Sequence, residues 1–549
     1  MYVMHPISIS NTKSYFYHGA AFLIVVFFLL GLLACEGTKS EFSDHEVFRY
    51  NESANITSLD PAFSKVQSNI WACNQIFNGL VQLDDELNVQ PDIATHWHIS
   101  DDGLQYDFYL RDDVFFHEHR VFGSLQTRTV TAFDFEFSFQ RLLDEQIVSP
   151  GRWILQEVAS FRAVNNRLFQ IRLKKPFPAF LGILTMKYAS VVPKEVLQDS
   201  ETDFRIAPIG TGPFYVKLWE ENVKLVLRKN NRYFEKDTNG IALPYLEAVA
   251  ITFLPDKQSG FMEFLQGKID FISGLDPSYK DEILTAEGKL QPNYSSKIQM
   301  ITGPYLNTEY LGFNLDPATG NPIDIRIRKA LNYGFDRQKM IGFLRNNMGI
   351  PATSGIIPAG MPGFNGQKGY DFNPKLAQEY IKSYQKTYGT VLPKIVLSTN
   401  PTYLDIAEYL QREWQKMGLN VQIDSNPPST LRQAIATGKV SFFRASWIAD
   451  YPDAENYLSL FYSENFSPNG PNYTHFSNSL FDPLFKQSYL QTDLEARSIT
   501  YQKMDSIIIQ EAPIIPLFYD KVARFTQKNI SGLGMNPLNN LHLKRVKKK

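Results

Sequence analysis

From Val47 onward, strand-like and helix-like segments alternate to the end of the chain, with no low-complexity stretch and no repeating period. Residues 106–110 (YDFYL) alternate polar and apolar, the signature of a half-buried strand. Residues 134–143 place Phe135, Phe139 and Leu142 on one helical face. A chain that mixes both periods throughout buries its apolar residues as sheets covered by helices, so the expected fold class is α/β. Nothing in the spacing suggests a solenoid or propeller. At 549 residues the chain is also too long for one ordinary core, and two or three domains are expected.

Local signals order these segments. Residues 47–50 read as a strand leading into a loop at 56–63. Residues 68–80 have helical spacing and stop near Gly79. The Gly/Pro turn at 210–214 enters a strand at 215–219, with residues 224–229 as its hairpin partner. Residues 323–341 read as one long helix after Pro322, and 406–417 as another stopped by Gly418. Residues 419–423 then alternate as a strand.

Charge and motifs narrow the function. A formal net charge of −2 carries no basic excess, so no nucleic-acid partner is expected. Two cysteines, Cys35 and Cys73, leave no room for a disulfide framework or a cysteine-built zinc site. The chain has no phosphate loop and no nucleophile elbow, and Gly532-Leu533-Gly534 lacks the third glycine of a dinucleotide site. His117-Glu118-His119 lacks the histidine spacing of a zinc protease. His96 and His98 share a strand face without an evident third ligand, so no metal is expected. Asp101-Asp102 and Asp112-Asp113 lie in polar turns, and residues 544–549 read as a solvated basic tail. The weight moves from catalysis to binding: no enzyme and no cofactor.

Residues 1–19 carry Lys13 and no acidic side chain, and residues 20–34 (AAFLIVVFFLLGLLA) are apolar up to Cys35. Spanning a bilayer takes about 20 apolar residues, so this run fits a signal-peptide core better than a permanent span. Leu32-Leu33-Ala34-Cys35 resembles the bacterial lipoprotein box. That resemblance implies a signal peptide at 1–34, lipidation of Cys35, a tether at 35–43 and anchorage to a cell-envelope membrane, facing the periplasm or exterior. A short anchor helix with an incidental cysteine is the alternative. Cys73 is then unpaired and expected as a small buried hydrophobe.

A longer resemblance runs through the rest of the chain. Ser58-Leu59-Asp60-Pro61, then Ile76-Phe77-Asn78-Gly79-Leu80, Pro91-Asp92-Ile93-Ala94 with Trp97, and Tyr106-Asp107-Phe108-Tyr109-Leu110-Arg111 follow one another. Val130-Thr131-Ala132-Phe133-Asp134-Phe135, Gly210-Thr211-Gly212-Pro213-Phe214 and Gly267-Lys268-Ile269-Asp270 come next. Asn314, residues 326–336 and Trp414-Gln415-Lys416-Met417-Gly418 complete the series. Together, in this order, they resemble the solute-binding proteins of bacterial peptide and nickel ABC importers. One departure stands out: Phe115-Phe116-His117 and the long connection 119–128 replace a short "W-x-D-G" turn.

The resemblance implies a two-lobed periplasmic-binding-protein fold of type II, with an extra domain inserted in lobe one. Lobe one would take residues 44–80, 207–303 and 510–549, the extra domain 81–206 and lobe two 304–509. Two crossing strands would form the hinge. The implied role is a monomeric extracytoplasmic binder that captures oligopeptides or dipeptides by hinge closure and delivers them to an ABC permease. A non-peptide solute, such as a metal complex or sugar, is the alternative.

The segment Arg444-Ala445-Ser446-Trp447-Ile448-Ala449-Asp450-Tyr451 resembles the family's ligand strand. Asp450 would hold the peptide α-ammonium, which in a water-poor cleft needs a fixed carboxylate. Backbone groups of Ala445, Ser446, Trp447 and Ile448 would pair with the ligand main chain like an added strand. Trp447 would supply a flat wall, with a core position as its alternative. Arg444 would take the terminal carboxylate, with an internal ion pair as its alternative. Lys65 and Gln67 would meet the ligand from the facing loop. A helix or turn cap is the competing role for Asp450.

Overall fold

The computed structural model describes residues 46–274, 279–319, 322–362 and 364–549. The lipidation site expected at Cys35, the signal segment and the tether lie outside the described residues. Among the described residues no helix is long and apolar enough to cross a membrane.

In chain order, β1 (Val47–Asn51) is followed by a hairpin, β2 (Val81–Leu83) and β3 (Val89–Pro91). Then come β4 (Ala94–Ile99), β5 (Gln105–Leu110), β6 (Val158–Asn165) and β7 (Leu168–Leu173). The chain returns through β8 (Phe214–Glu220), β9 (Lys224–Lys229), β10 (Ala248–Thr252) and β11 (Phe271–Ser273). It crosses on the long β12 (Ile298–Phe313), and β13 (Ile350–Pro351), β14 (Ile395–Thr399), β15 (Val421–Ser425) and β16 (Phe442–Ile448) follow. It comes back on β17 (Ile514–Gln527) and ends with β18 (Ile530–Ser531) and β19 (Lys547–Lys548).

One sheet runs in the order β15-β14-β16-β12-β17-β11-β1-β10-β9-β8, and β4-β5-β7-β6 form a separate four-stranded sheet. β12 and β17 cross the middle as an antiparallel pair, so two strands connect the halves of the main sheet, as the resemblance implies. Their register runs unbroken from Ile298↔Gln527 to Pro304↔Lys521, shifts, and resumes at Thr308↔Tyr519. Pro304 has no N–H for a ladder, which gives the break a local cause. A second shift, between Glu309 and Tyr310, follows before the ladder runs on to Gly312↔Ile514.

Separate apolar cores fill the halves. Phe48, Tyr50, Trp71, Cys73, Phe77 and Val249 pack on one side. Leu311, Ile327, Leu397, Leu410 and Trp414 pack on the other. The β4–β7 sheet has its own core around Phe108, Phe135, Phe139 and Phe169. Cys73 is fully buried, with its thiol donating to the Leu59 carbonyl oxygen at 3.5 Å. The Gly210–Phe214 turn explains its own composition: a Cβ on Gly212 would lie 2.4 Å from the Ile76 carbonyl carbon, so only glycine fits that approach.

Three sequence expectations need correction. The helix expected over 323–341 is two helices, Ile325–Tyr333 and Arg337–Arg345. Gly334 closes the first, and the Asp336 carboxylate caps the second by accepting from the Lys339 N–H at 3.0 Å. The helix expected at 68–80 spans Gln67–Ile76, because Phe77 turns extended and the Gly79 N–H goes to Asp92. The basic carboxyl end is not a solvated tail. Lys544 pairs with Glu235 at 2.7 Å, Lys548 pairs with the buried Asp270 at 3.0 Å, and Val546 is fully buried. Both acidic partners are remote in sequence, so local charge patterning could not reveal them.

The departure at residues 115–117 also has a structural use. His117 is buried; its Nδ1 accepts the Gly210 N–H at 3.2 Å, so Nε2 carries the proton and donates to the Gly212 carbonyl at 2.9 Å. A neutral imidazole thus braces the glycine turn, and burial lowers its pKa to about 4. The unfolded chain binds this proton near pH 6.5, so stability from His117 is complete above that value and is lost as pH falls toward 4. Going from pH 7 to pH 5 should cost about 2 kcal/mol through this residue. Urea unfolding at both pH values checks it: an unchanged acid sensitivity in His117→Gln would exclude the assignment. The following connection, 119–128, is held by Arg128, which pairs with Asp134 and Glu195.

Candidate ligand cleft

β16 carries the predicted segment, and its two edges differ. All of Phe442–Ile448 pairs with β12, whereas β14 meets β16 only at Ser398↔Phe443. On the side away from β12, the backbone from Arg444 to Ile448 therefore has no strand partner among the described residues. Such an edge is a template for an added strand. Ala445, Ser446 and Trp447 are half-buried along it, and Ile448 is 48 % exposed.

Asp450 lies just beyond the strand's end. It does not cap the next helix, which begins at Glu455 after Ala454. No cation among the described residues forms an ion pair with it. The side chain is open to solvent, yet enough protein surrounds it that desolvation holds its carboxyl above the ordinary range, with a hydrogen bond to Asn456 acting the other way. Asn456, buried and unforeseen from sequence, organises the loop. Its Oδ1 accepts the Trp447 indole N–H at 2.8 Å and the Asp450 backbone N–H at 3.3 Å. Tyr188, from the β4–β7 unit, is also near: burial, then the Asp450 charge, push its phenol up to about 12.

Arg444 has an internal partner, the alternative that its sequence position left open. Its Nε donates to Glu309 Oε2 at 3.1 Å, Nη2 donates to the same oxygen, and the guanidinium stacks 3.4 Å from the Tyr403 ring centre. Glu309 is buried, and desolvation raises its pKa although Arg444 lowers it. Tyr403 in turn lines a cavity of about 550 Å³ with Gln67, Arg345, Asp520, Lys521 and Asn539. Gln67 thus shares this cavity with Tyr403, the ring on which Arg444 stacks, while no β16 residue lines it. Lys65 is exposed and does not line it. A larger cavity, about 630 Å³ between the β2–β3 hairpin and residues 532–545, is lined by none of the predicted site residues. Among the described residues no cluster of His, Cys, Asp and Glu has metal-holding geometry.

Asn456, Glu309 and Tyr403 left little trace in the sequence. Glu309 and Tyr403 reach β16 from distant segments, and only Asn456, six residues past Asp450, was close enough to suspect.

Known proteins resemble this chain over most of its length. The oligopeptide-binding protein OppA of Bacillus subtilis (strain 168) is 26% identical over 554 residues, covering 93% of this chain and 96% of that protein. The probable deoxycholate-binding periplasmic protein YgiS of Escherichia coli (strain K12) is 27% identical, covering 91% and 93%. The structure of a dipeptide-binding protein from Pseudoalteromonas sp. SM9913, in complex with Met-Leu, superposes with a TM-score of 0.72 at 24% identity, covering 92% and 100%. It shares the fold. The model of bacterial extracellular solute-binding proteins, family 5, matches residues 88–469. A main sheet linked through two crossing strands, an open strand edge beside a cavity and this match over most of the chain lead to one assignment: the chain belongs to the family 5 bacterial extracellular solute-binding proteins.

Proposed function

We propose that this chain captures a peptide, laying the ligand main chain along the open edge of β16 and its α-ammonium on Asp450, and hands it to an ABC permease. The observation that carries the reading is a carboxylate with no ion-pair partner among the described residues, in desolvated surroundings, at the end of a strand edge that no described strand pairs. Main-chain pairing supplies affinity without reading side chains, and the fixed carboxylate sets direction. Trp447, tethered by Asn456, forms a wall beside the first ligand residues. Arg444 commits Nε and Nη2 to Glu309 and keeps Nη1 for the ligand's terminal carboxylate, directly or through water. Gln67 would meet the ligand from the cavity wall of the other half, with Lys65, exposed two residues before it, reaching the ligand only at the rim.

In this reading the two lobes close about residues 304–308. Shifting such an equilibrium from mostly open to mostly closed takes about 5.5 kcal/mol of differential binding, within reach of one charge pair and several hydrogen bonds. The lobe limits given above, a monomeric state, a non-enzymatic role and a lipid anchor at Cys35 belong to the same proposal. OppA is named for oligopeptides, which agrees with it.

Native mass spectrometry of the purified chain should find co-purified peptides. Calorimetry with one of them and its amino-acetylated form then tests the anchor. Acetylation should abolish measurable binding, because the Asp450 carboxylate, desolvated once the ligand covers it, would lose its cation. Equal affinity for the acetylated form would mean that the solute is recognised without an amine and would end the peptide-amine reading.

A further inference from the structure

The Asp450 loop is held from outside its own half of the molecule. Tyr451, which follows Asp450, is 6 % exposed and belongs to the core of the β4–β7 unit, with Phe180 and Ile183. A residue goes the other way from the β2–β3 hairpin. Leu87 at the hairpin tip is 3 % exposed and belongs to the buried cluster of Leu306, Tyr310 and Ala449. Ala449 precedes Asp450, so both chain neighbours of Asp450 sit in cores shared with the β2–β7 segment.

Leu87 also has φ of 68°, a left-handed backbone that leucine rarely adopts. Such strain persists only where its surroundings hold it, and here the buried side chain does so. Two ring contacts flank the exchange. Trp153 lies 6.3 Å from Tyr451, and Phe177 stacks on Tyr489 at 5.1 Å with Lys175 Nζ 4.7 Å from the same ring. Both tyrosine hydroxyls donate to the buried Glu455, Tyr451 to Oε2 at 2.5 Å and Tyr489 to Oε1 at 2.8 Å. One carboxylate thus fixes the two rings on which the β4–β7 unit rests.

We propose that the β2–β7 segment, its hairpin and its four-stranded sheet together, clamps the Asp450 loop through this exchange of Leu87 and Tyr451, and that breaking the exchange sets the rate at which a captured ligand leaves. The inference rests on peptide capture at Asp450. Leu87, Phe177, Tyr489 and Glu455 are positioning residues, acting through the loop rather than on the ligand.

The test uses the full chain and a synthetic copy of a co-purified peptide, with dissociation followed by stopped flow. Leu87→Asn keeps a residue that tolerates the left-handed backbone but removes the apolar prong. It should raise the dissociation rate about tenfold or more and leave association nearly unchanged. Phe177→Ala should raise dissociation about fivefold and Tyr489→Ala by at least as much, because the latter also removes the hydrogen bond to Glu455. Dissociation unchanged in Leu87→Asn, or in both Phe177→Ala and Tyr489→Ala, would overturn the clamp. Amide exchange at residues 449–455 in the ligand-free protein reads the clamp separately: faster exchange in Leu87→Asn supports it and unchanged exchange overturns it. A wild-type chain that binds no peptide would sink the capture reading, with the exchange result still deciding the clamp.

Discussion

Replacing Asp450 by alanine should weaken peptide affinity by about 2–5 kcal/mol, the loss seen when one partner of a desolvated charge pair is removed. The ligand's ammonium would then sit in a cleft with no fixed counter-charge, beside Trp447, Tyr188 and the apolar end of β16. Dissociation should change more than association, because steering acts at long range while the pair forms at contact. Asp450→Asn is the sharper variant, since it keeps shape and one acceptor but removes charge. Protonation offers an independent check. The carboxyl is held above its ordinary range by desolvation, so affinity should fall with decreasing pH earlier than an exposed aspartate would allow. Calorimetry on both variants decides the matter, and wild-type affinity in Asp450→Ala would remove this residue from the site.

The second large effect is on stability. Glu309 is 3 % exposed on β12 and pairs with Arg444 on β16, the strands being in register at Glu309↔Ser446 and Leu311↔Arg444. Removing Glu309 leaves a largely buried guanidinium without its ion-pair partner, the Tyr403 ring still against it. Breaking a buried pair in this way costs about 3–5 kcal/mol, because the remaining charge has lost its compensation. Glu309→Ala should therefore shift the urea midpoint strongly. Replacing both partners, as Glu309→Leu with Arg444→Met, should recover most of that loss, since an apolar pair needs no compensation. If the double variant is no more stable than Glu309→Ala, packing rather than charge explains the loss. The same double variant should weaken peptide binding only where Arg444 touches the ligand's carboxylate, which separates the two roles of this side chain.

Much of the fold was legible from residues because it depends on local periods. The strand at 47–51, the 214–229 hairpin and the helix ending near Met417 follow from alternation, turn residues and a stopping glycine. Legibility failed where one residue type supports two structures. The apolar spacing of 323–341 continues across Gly334 and Asp336, yet a glycine followed by a capping carboxylate ends one helix and starts another. Lysine at 544 and 548 reads as solvated because lysine usually is, and only remote acids bury it. In the cleft, β16 and Asp450 could be picked from sequence, while Asn456, Glu309 and Tyr403 could not. Their roles depend on which segments meet.

By itself the chain determined its fold class, the order of most elements and the place of one negative side chain after a strand, since each rests on neighbours within a few positions. Tertiary structure alone decided that β16 keeps an open edge, that Arg444 turns to Glu309, and that Leu87 and Tyr451 change cores around Asp450. The physical reason is one of range. Backbone periodicity is written into adjacent residues, whereas desolvation, ion pairing and edge exposure depend on groups that only folding brings together.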